Sequence, residues 1–157
     1  MKTYPPDKIR NVAIIGSGGT GKTSLAEALL YKAGTLTRMG KISDGNTASD
    51  FDPEEIKRRI SIHTSLLPLE WQDHKINLLD TPGYVDFQGE GLSALSVVEG
   101  VIAVIDGISG VGVGIDSLWQ RAEQLKLPRL VVINKLDKNQ ADFAGKARGA
   151  AVAFSIG

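Results

Sequence analysis

Gly16-Ser17-Gly18-Gly19-Thr20-Gly21-Lys22-Thr23 is the stretch that leaves this chain the fewest folds. It meets the pattern G-x-x-x-x-G-K-S/T in full. The apolar run Val12–Ile15 precedes it, and Leu25, Ala28 and Leu29 follow at helical spacing up to Gly34. In a strand–loop–helix order, successive backbone N–H groups can turn inward around an anion, with the positive end of the helix behind them. Lys22 is then placed for the β- and γ-phosphates of a nucleotide, and the Thr23 hydroxyl for Mg²⁺. A flexible glycine-rich turn is the bland alternative, and pattern and context together speak against it.

The rest of the chain fits the same architecture. Further short, β-branched runs lie at Ile76–Leu79, Val101–Ile105 and Leu130–Ile133. None alternates with period two, as expected of strands buried on both faces. Ile115, Leu118, Trp119, Ala122 and Leu125 repeat at helical spacing before Pro128. Strands alternating with helices predict an α/β fold of the phosphate-loop NTPase type, with a mostly parallel sheet and helices on both faces. "SLLPLEWQDHKINLLD" reads as two strands joined at Gln72–His74, which adds one antiparallel edge strand. Gly34 to Arg59 is long, polar and aperiodic, as functional lids or disordered segments usually are. The Ala/Gly-rich tail after Lys138 carries no assignable pattern.

Composition narrows the function classes. A chain of 157 residues suits one domain, and Lys plus Arg equals Asp plus Glu at 18 each, so no long-range field draws it to nucleic acid and direct DNA binding is not expected. The absence of cysteine removes disulfides, thiolate zinc sites and a thiol nucleophile. "MKTYPPDKIR" lacks the apolar core of a signal peptide, and "VVEGVIAVIDGISGVGVGI" is broken by Glu99, Asp106 and glycines. A soluble, cytoplasmic protein without membrane contact is the expectation. The glycines of "DGISGVGVGID" are too weak a dinucleotide signal and read as a loop. His63 and His74 read as packed or solvated rather than as metal ligands.

Two more motifs end apolar runs. Asp80-Thr81-Pro82-Gly83 offers a carboxylate for Mg²⁺ and, at Gly83, an amide free to approach a γ-phosphate closely. Asn134-Lys135-Leu136-Asp137 offers, at Asp137, an acceptor for the paired N–H donors of guanine, which adenine lacks. Either motif alone is common by chance. Together with the phosphate loop they fall at the carboxyl ends of parallel strands, the edge at which α/β sheets bind ligands.

On these residues the chain resembles the GTP-binding domain of translational GTPases, most of all elongation factor G and its paralogues. The likeness runs from about Ile9 to Lys138 and includes "INLLDTPGYVDF", "VEGVIAVIDGISGV" and "GKISDGNTASDFDPEEIKRRISIHTSLLPLEW". It implies a single domain with the phosphate loop at 16–23, a first switch at about 34–62, a second at about 80–90 and the guanine motif at 134–137. It also implies GTP or GDP with Mg²⁺ as ligands, the ribosome as partner, and GTP hydrolysis in support of translocation or a related step. Gly16 to Thr23 and the adjoining Ser24 would bind phosphates, with Asp80 and Gly83 sensing the γ-phosphate. Asn134, Lys135 and Asp137 would hold guanine. Thr23, Ser61 and Asp80 would ligate the metal, and Lys22, Ser61, Gly83 and Tyr84 would act in catalysis.

The departures from the family pattern are specific. The first switch of the family ends Arg-Gly-Ile-Thr-Ile; here it is Arg58-Arg59-Ile60-Ser61-Ile62. Serine keeps the hydroxyl, whereas Arg59 is expected to lose glycine's access to positive φ. Tyr84 stands where the family usually has histidine, as in some elongation factor G paralogues; a phenol can donate a hydrogen bond but cannot become a cation at neutral pH, so slow intrinsic hydrolysis is expected. A catalytically weak nucleotide-binding or assembly module is the alternative. The segment after Asp137 is short for the family, so the domain is expected to be incomplete, without its last strand and helix. Surface left bare by that loss would favour self-association. "VAFSIG", Val152–Gly157, is the one candidate for a last strand, with Ser155 at the turn.

Overall fold

The computed structural model describes residues 2–154. Five strands form one sheet in the order β2-β3-β1-β4-β5. They are β1 (Ile9–Ile15), β2 (Ser65–Trp71), β3 (His74–Asp80), β4 (Gly100–Asp106) and β5 (Arg129–Asn134). β1 pairs in parallel with β3 and β4, and β4 with β5, while β2 runs antiparallel to β3. The helices are α1 (Lys22–Lys32), α2 (Pro53–Arg58), α3 (Gln88–Leu95), α4 (Ile115–Gln124) and α5 (Phe143–Ala153).

The apolar runs are buried on both faces because successive side chains point to opposite sides of the sheet. Ile14, Leu78 and Val104 pack with Ala26 and Leu30 of α1 and with Leu67 and Leu69 of β2. Ala13, Ile15, Val101, Ala103 and Ile105 face the other way, onto Ala94 and Leu95 of α3, Ile115, Leu118, Trp119 and Ala122 of α4, and Ala150 of α5. The mostly parallel sheet, the antiparallel edge strand and the helices on both faces are as the sequence predicts. β5 differs from expectation: it is an edge strand and leaves Leu130 59% exposed. In α1 the deeply buried positions are Ala26 and Leu30, whereas Leu25 and Leu29 pack at the periphery. Leu125 caps α4 and stays partly exposed, at 37%.

The hairpin closes through Gln72 and Asp73 at φ 46° and 60°, between the paired Trp71 and His74. Two left-handed residues give the twist that a tight hairpin needs, here without the Asn-Gly signal that announces it. The His74 ring donates from Nδ1 to the Gln72 carbonyl at 2.9 Å. The unassigned tail is helical: Asp142 accepts from the Gly145 amide to cap α5, and Phe154 stacks on Trp119 at 4.1 Å between ring centroids. Trp119 also donates its indole N–H to the Phe154 carbonyl and lies under the Arg129 guanidinium. Val152 is in α5, not in a last strand; Ser155 lies outside the described residues. Among the described residues no helix is long and apolar enough to cross a membrane.

Candidate functional site

The parallel strands deliver their carboxyl ends to one edge. Ile14 is level with Asp80, and Asp106 is level with Asn134. The phosphate loop leaves β1 there and enters α1 through Gly21 at φ 93°. A side chain at Gly21 would put its Cβ 2.3 Å from Asn134 Nδ2, so the left-handed turn and the close approach both require glycine. Ser17 donates to the Val113 carbonyl at 2.9 Å, which ties the loop to the glycine-rich segment after β4. Thr20 closes the loop on itself through Ser17 O. Ser24 is exposed on the first turn of α1 and joins none of this.

Lys22 is buried and donates to the carbonyls of Gly16 at 3.0 Å and Ser17 at 3.1 Å. Burial lowers its ammonium from 10.5 to about 8, against the pull of Asp80 and Asp50. Thr23 Oγ1 donates to Asp80 Oδ2 at 2.8 Å, and Ser49 Oγ donates to the same oxygen at 2.6 Å. Ser61 donates to Asp50 Oδ1 at 2.7 Å and lies 3.5 Å from Thr23 Oγ1. The second oxygen of Asp80 is buried with no hydrogen-bond partner. Burial pushes both carboxyls, Asp80 and Asp50, above the ordinary range. Hydroxyls and carboxylates around an orphaned carboxylate oxygen are a hard-oxygen donor set, and they fit Mg²⁺.

The long polar segment before β2 is more ordered than its composition suggests. Buried Glu27 accepts from the amides of Gly40 and Ala48, both at 2.6 Å. Buried Glu55 accepts from the amides of Ile62 at 2.8 Å and His63 at 3.0 Å, and also completes a capping box with Asp52 at the start of α2. These two carboxylates, with Ser49 and Asp50, are the site residues that reading the sequence missed. Asp52-Pro53-Glu54-Glu55 did carry a signal, since it is a helix start with proline at the first position. Glu27 lies one helical turn beyond Thr23, on the same buried side of α1. Arg59 takes φ 57° at the C-cap of α2, so the left-handed conformation expected to be lost is adopted by a non-glycine residue. The C-cap hydrogen bond from Arg59 N–H to Glu55 O holds it there, at a cost of about 1 kcal/mol or more.

The segment that follows β3 crosses the glycine-rich loop after β1. Thr81 donates to the Ile14 carbonyl at 2.7 Å. A Cβ at Gly83 would fall 2.3 Å from Lys22 Nζ and 2.7 Å from the Gly18 amide, so only glycine admits this approach. The Tyr84 ring lies against Gly18: a Cβ on that glycine would be 3.0 Å from Tyr84 Cε2. Glu90 accepts from the Thr64 amide at 2.8 Å and links this switch to the start of β2. A cleft of about 100 Å³ remains between phosphate loop and switches, lined by Gly18, Gly19, Gly21, Lys22, Thr23, Asp50, Arg59, Ser61, Gly83 and Tyr84 among others.

At the far end, Asn134 donates from Nδ2 to the Thr20 carbonyl at 2.9 Å. Lys135, at φ 60°, pairs with Asp106 at 2.6 Å. That ammonium holds the Asp106 carboxyl below its ordinary range, helped by the Ile108 and Ser109 amides. Asp137 is brought to the same edge but stays exposed, with Lys138 Nζ at 3.6 Å.

Residues 7–151 match the model of a family described as the elongation factor Tu GTP binding domain. The chain is 40% identical over 142 residues to elongation factor G 2 of Streptomyces coelicolor, covering 90% of this chain and 21% of that protein. It is 43% identical over 136 residues to the mitochondrial ribosome-releasing factor 2 of Drosophila melanogaster, covering 87% and 18%. A crystal structure of a Thermus thermophilus protein superposes with a TM-score of 0.87 at 41% identity, over 92% of this chain and 22% of that one. The chain thus spans about a fifth of the length of the relatives it matches.

Proposed function

This chain belongs to the elongation factor Tu GTP-binding domain family of translational GTPases, on the elongation factor G side, and from that premise we propose that it binds Mg²⁺-GTP and GDP and hydrolyses GTP slowly on its own. The observation that carries the reading is the Lys22–Thr23–Asp80 cluster under the phosphate loop, where a buried ammonium is held only by carbonyls and a buried carboxylate keeps one oxygen unpartnered. Phosphate oxygens would replace the Gly16 and Ser17 carbonyls at Lys22 and restore its full charge. Thr23, Ser61 and Asp80 would hold Mg²⁺, with Asp50 behind Ser61. When bound, the metal would neutralise charge on the β- and γ-phosphates.

The protein's own part is positioning. The phosphate-loop amides fix the phosphates, the Gly83 amide meets the γ-phosphate, and Ser61 and Tyr84 border the space for the attacking water. Asn134 steadies the loop, Lys135 lines the base site, and Asp137 reads the guanine edge. The ribosome as partner follows the names of the ribosome-releasing factors, some of them mitochondrial, while translocation or a related step as task and the cytoplasm as location rest on the resemblance to elongation factor G alone.

Calorimetric titration with GDP, a non-hydrolysable GTP analogue and ATP, each with and without Mg²⁺, tests the binding. Both guanine nucleotides should bind, and ATP should bind at least about a hundredfold more weakly. Failure of every nucleotide to bind would end the reading.

One observation favours a second reading, a nucleotide-binding module without useful turnover. The Tyr84 ring lies against Gly18 in the wall of the cleft, at the position where the family usually carries histidine. Single-turnover cleavage by the Tyr84→His variant should be faster than by the parent chain. Equal rates would clear Tyr84 as the cause of slowness.

A further inference from the structure

We propose that Arg59 is a built-in charge partner for GTP cleavage, a catalytic residue supplied by the first switch of the chain itself. The inference rests on the reading of the cleft as a GTP-hydrolysing site. Arg59 lines that cleft together with Lys22, Thr23, Ser61, Gly83 and Tyr84. Its neighbour Arg58 is committed elsewhere, paired with Glu54 one turn back along α2. Arg59 itself makes no ion pair or side-chain hydrogen bond among the described residues, so its guanidinium is uncommitted.

The backbone holds it there against its own preference. Arg59 sits at φ 57°, with its N–H on the Glu55 carbonyl. Just beyond it, Asp50 takes the Ser61 hydroxyl and Glu55 takes the Ile62 and His63 amides. Both sides of the residue are therefore anchored. Strain retained in a segment so firmly held points to use.

Lys22 is the other cationic residue in the lining of the cleft, so Arg59 adds a second. A guanidinium stays charged throughout, and its fork of donors suits phosphoryl oxygens. In the reaction the water oxygen bonds to the γ-phosphorus and the bond from that phosphorus to the β–γ bridging oxygen breaks. The electron pair leaves with GDP, and the water proton passes to the released phosphate. Arg59 donates to the oxygens on which negative charge grows. A contact that strengthens in this way raises the rate without raising GDP affinity.

The test compares wild type, Arg59→Gly and Arg59→Lys in single-turnover GTP cleavage, GDP titration and trapping of GDP with aluminium fluoride, a mimic of the transferring phosphoryl group. Glycine accepts the left-handed backbone, so Arg59→Gly keeps the fold. Arg59→Gly should slow cleavage by roughly a thousandfold and lose the aluminium fluoride trap while binding GDP as before. Arg59→Lys, with charge but no fork, should fall between the two. Wild-type cleavage by Arg59→Gly would overturn the proposal, as would a wild type that binds GTP without cleaving it. A wild type that binds no GDP would instead sink the GTP reading underneath, and the proposal with it.

Discussion

The two ends of the proposed nucleotide cleft are built differently. At the phosphate end the groups are buried and already bonded to one another: Lys22 to Gly16 and Ser17, Thr23 and Ser49 to Asp80, Ser61 to Asp50. At the other end Asn134 and Lys135 are engaged by the phosphate loop and by Asp106, and Asp137 is exposed, with only the neighbouring exposed Lys138 ammonium 3.6 Å away. The phosphate end must therefore exchange internal partners for ligand, whereas the guanine end only adds one. An exchanging site bears a desolvation cost and gains strongly from charge; an adding site gains selectivity from a single matched edge.

The largest expected effect separates these roles. Lys22→Ala should weaken GDP, GTP analogue and any residual ATP binding alike, by about 3–5 kcal/mol, because the phosphate charge then meets no buried cation. Asp137→Ala should cost guanine nucleotides about 2–3 kcal/mol, roughly thirty- to a hundred-and-fifty-fold, and leave ATP unchanged. Parallel titrations of both variants decide the matter. If Asp137→Ala weakens ATP as much as GDP, the guanine end is not a selector and the contrast collapses.

The contrast also explains what could be read from the sequence. The strands, the helices around them and the three motifs were legible because each is local, a short apolar run or a fixed spacing with a physical need behind it. The hairpin was legible despite its unusual Gln72-Asp73 turn, since two apolar runs flank it. The order within the first switch was not. Glu27 and Glu55 reach amides as far as Ala48 and His63, and no periodicity records a carboxylate that pins a loop over that distance. Arg59 was read as unable to take positive φ, because the propensity argument weighs the residue and not the hydrogen bonds that hold it. α5 escaped because an Ala/Gly-rich helix shows little amphipathic contrast, and its anchor is the aromatic contact of Phe154 with Trp119.

A difference in proton uptake should follow as the next largest effect. Lys22 titrates at about 8 in the ligand-free chain, and bound phosphate should raise it again. Above pH 8, then, binding must take up a proton, and affinity should fall by up to about tenfold per pH unit. Below pH 8 this contribution is flat. For stability the sign is the same lysine seen without ligand. Its folded value lies below its unfolded one, so the folded state carries fewer protons between about 8 and 10.5, and stability from this group rises with pH across that window. GDP titrations from pH 7 to 9.5, in buffers of differing ionisation heat, measure the uptake. Asp137→Ala should keep the slope and Lys22→Ala should lose it. A flat profile in the parent chain would mean that the phosphate end exchanges no partner at Lys22.

The smallest effect uses a feature that the two ends share. Each holds one non-glycine residue in the left-handed region, Arg59 at φ 57° and Lys135 at φ 60°. Replacing either by glycine relieves about 1–2 kcal/mol of backbone strain, offset by the greater freedom of glycine in the unfolded chain, about 0.5–1 kcal/mol. Arg59 has no ion pair to lose, so Arg59→Gly should stabilise the ligand-free fold by about 0.5–1 kcal/mol. Lys135 pairs with Asp106, which is nearly buried. Losing a partly screened pair costs up to about 1 kcal/mol, so Lys135→Gly should come out near zero or slightly destabilised. Urea unfolding of the two variants, read from the midpoint at constant slope, compares them. Equal gains would show that the Lys135–Asp106 pair contributes nothing to the fold. A loss at Arg59→Gly would show that its guanidinium stabilises the ligand-free lid and is not held in reserve for the nucleotide.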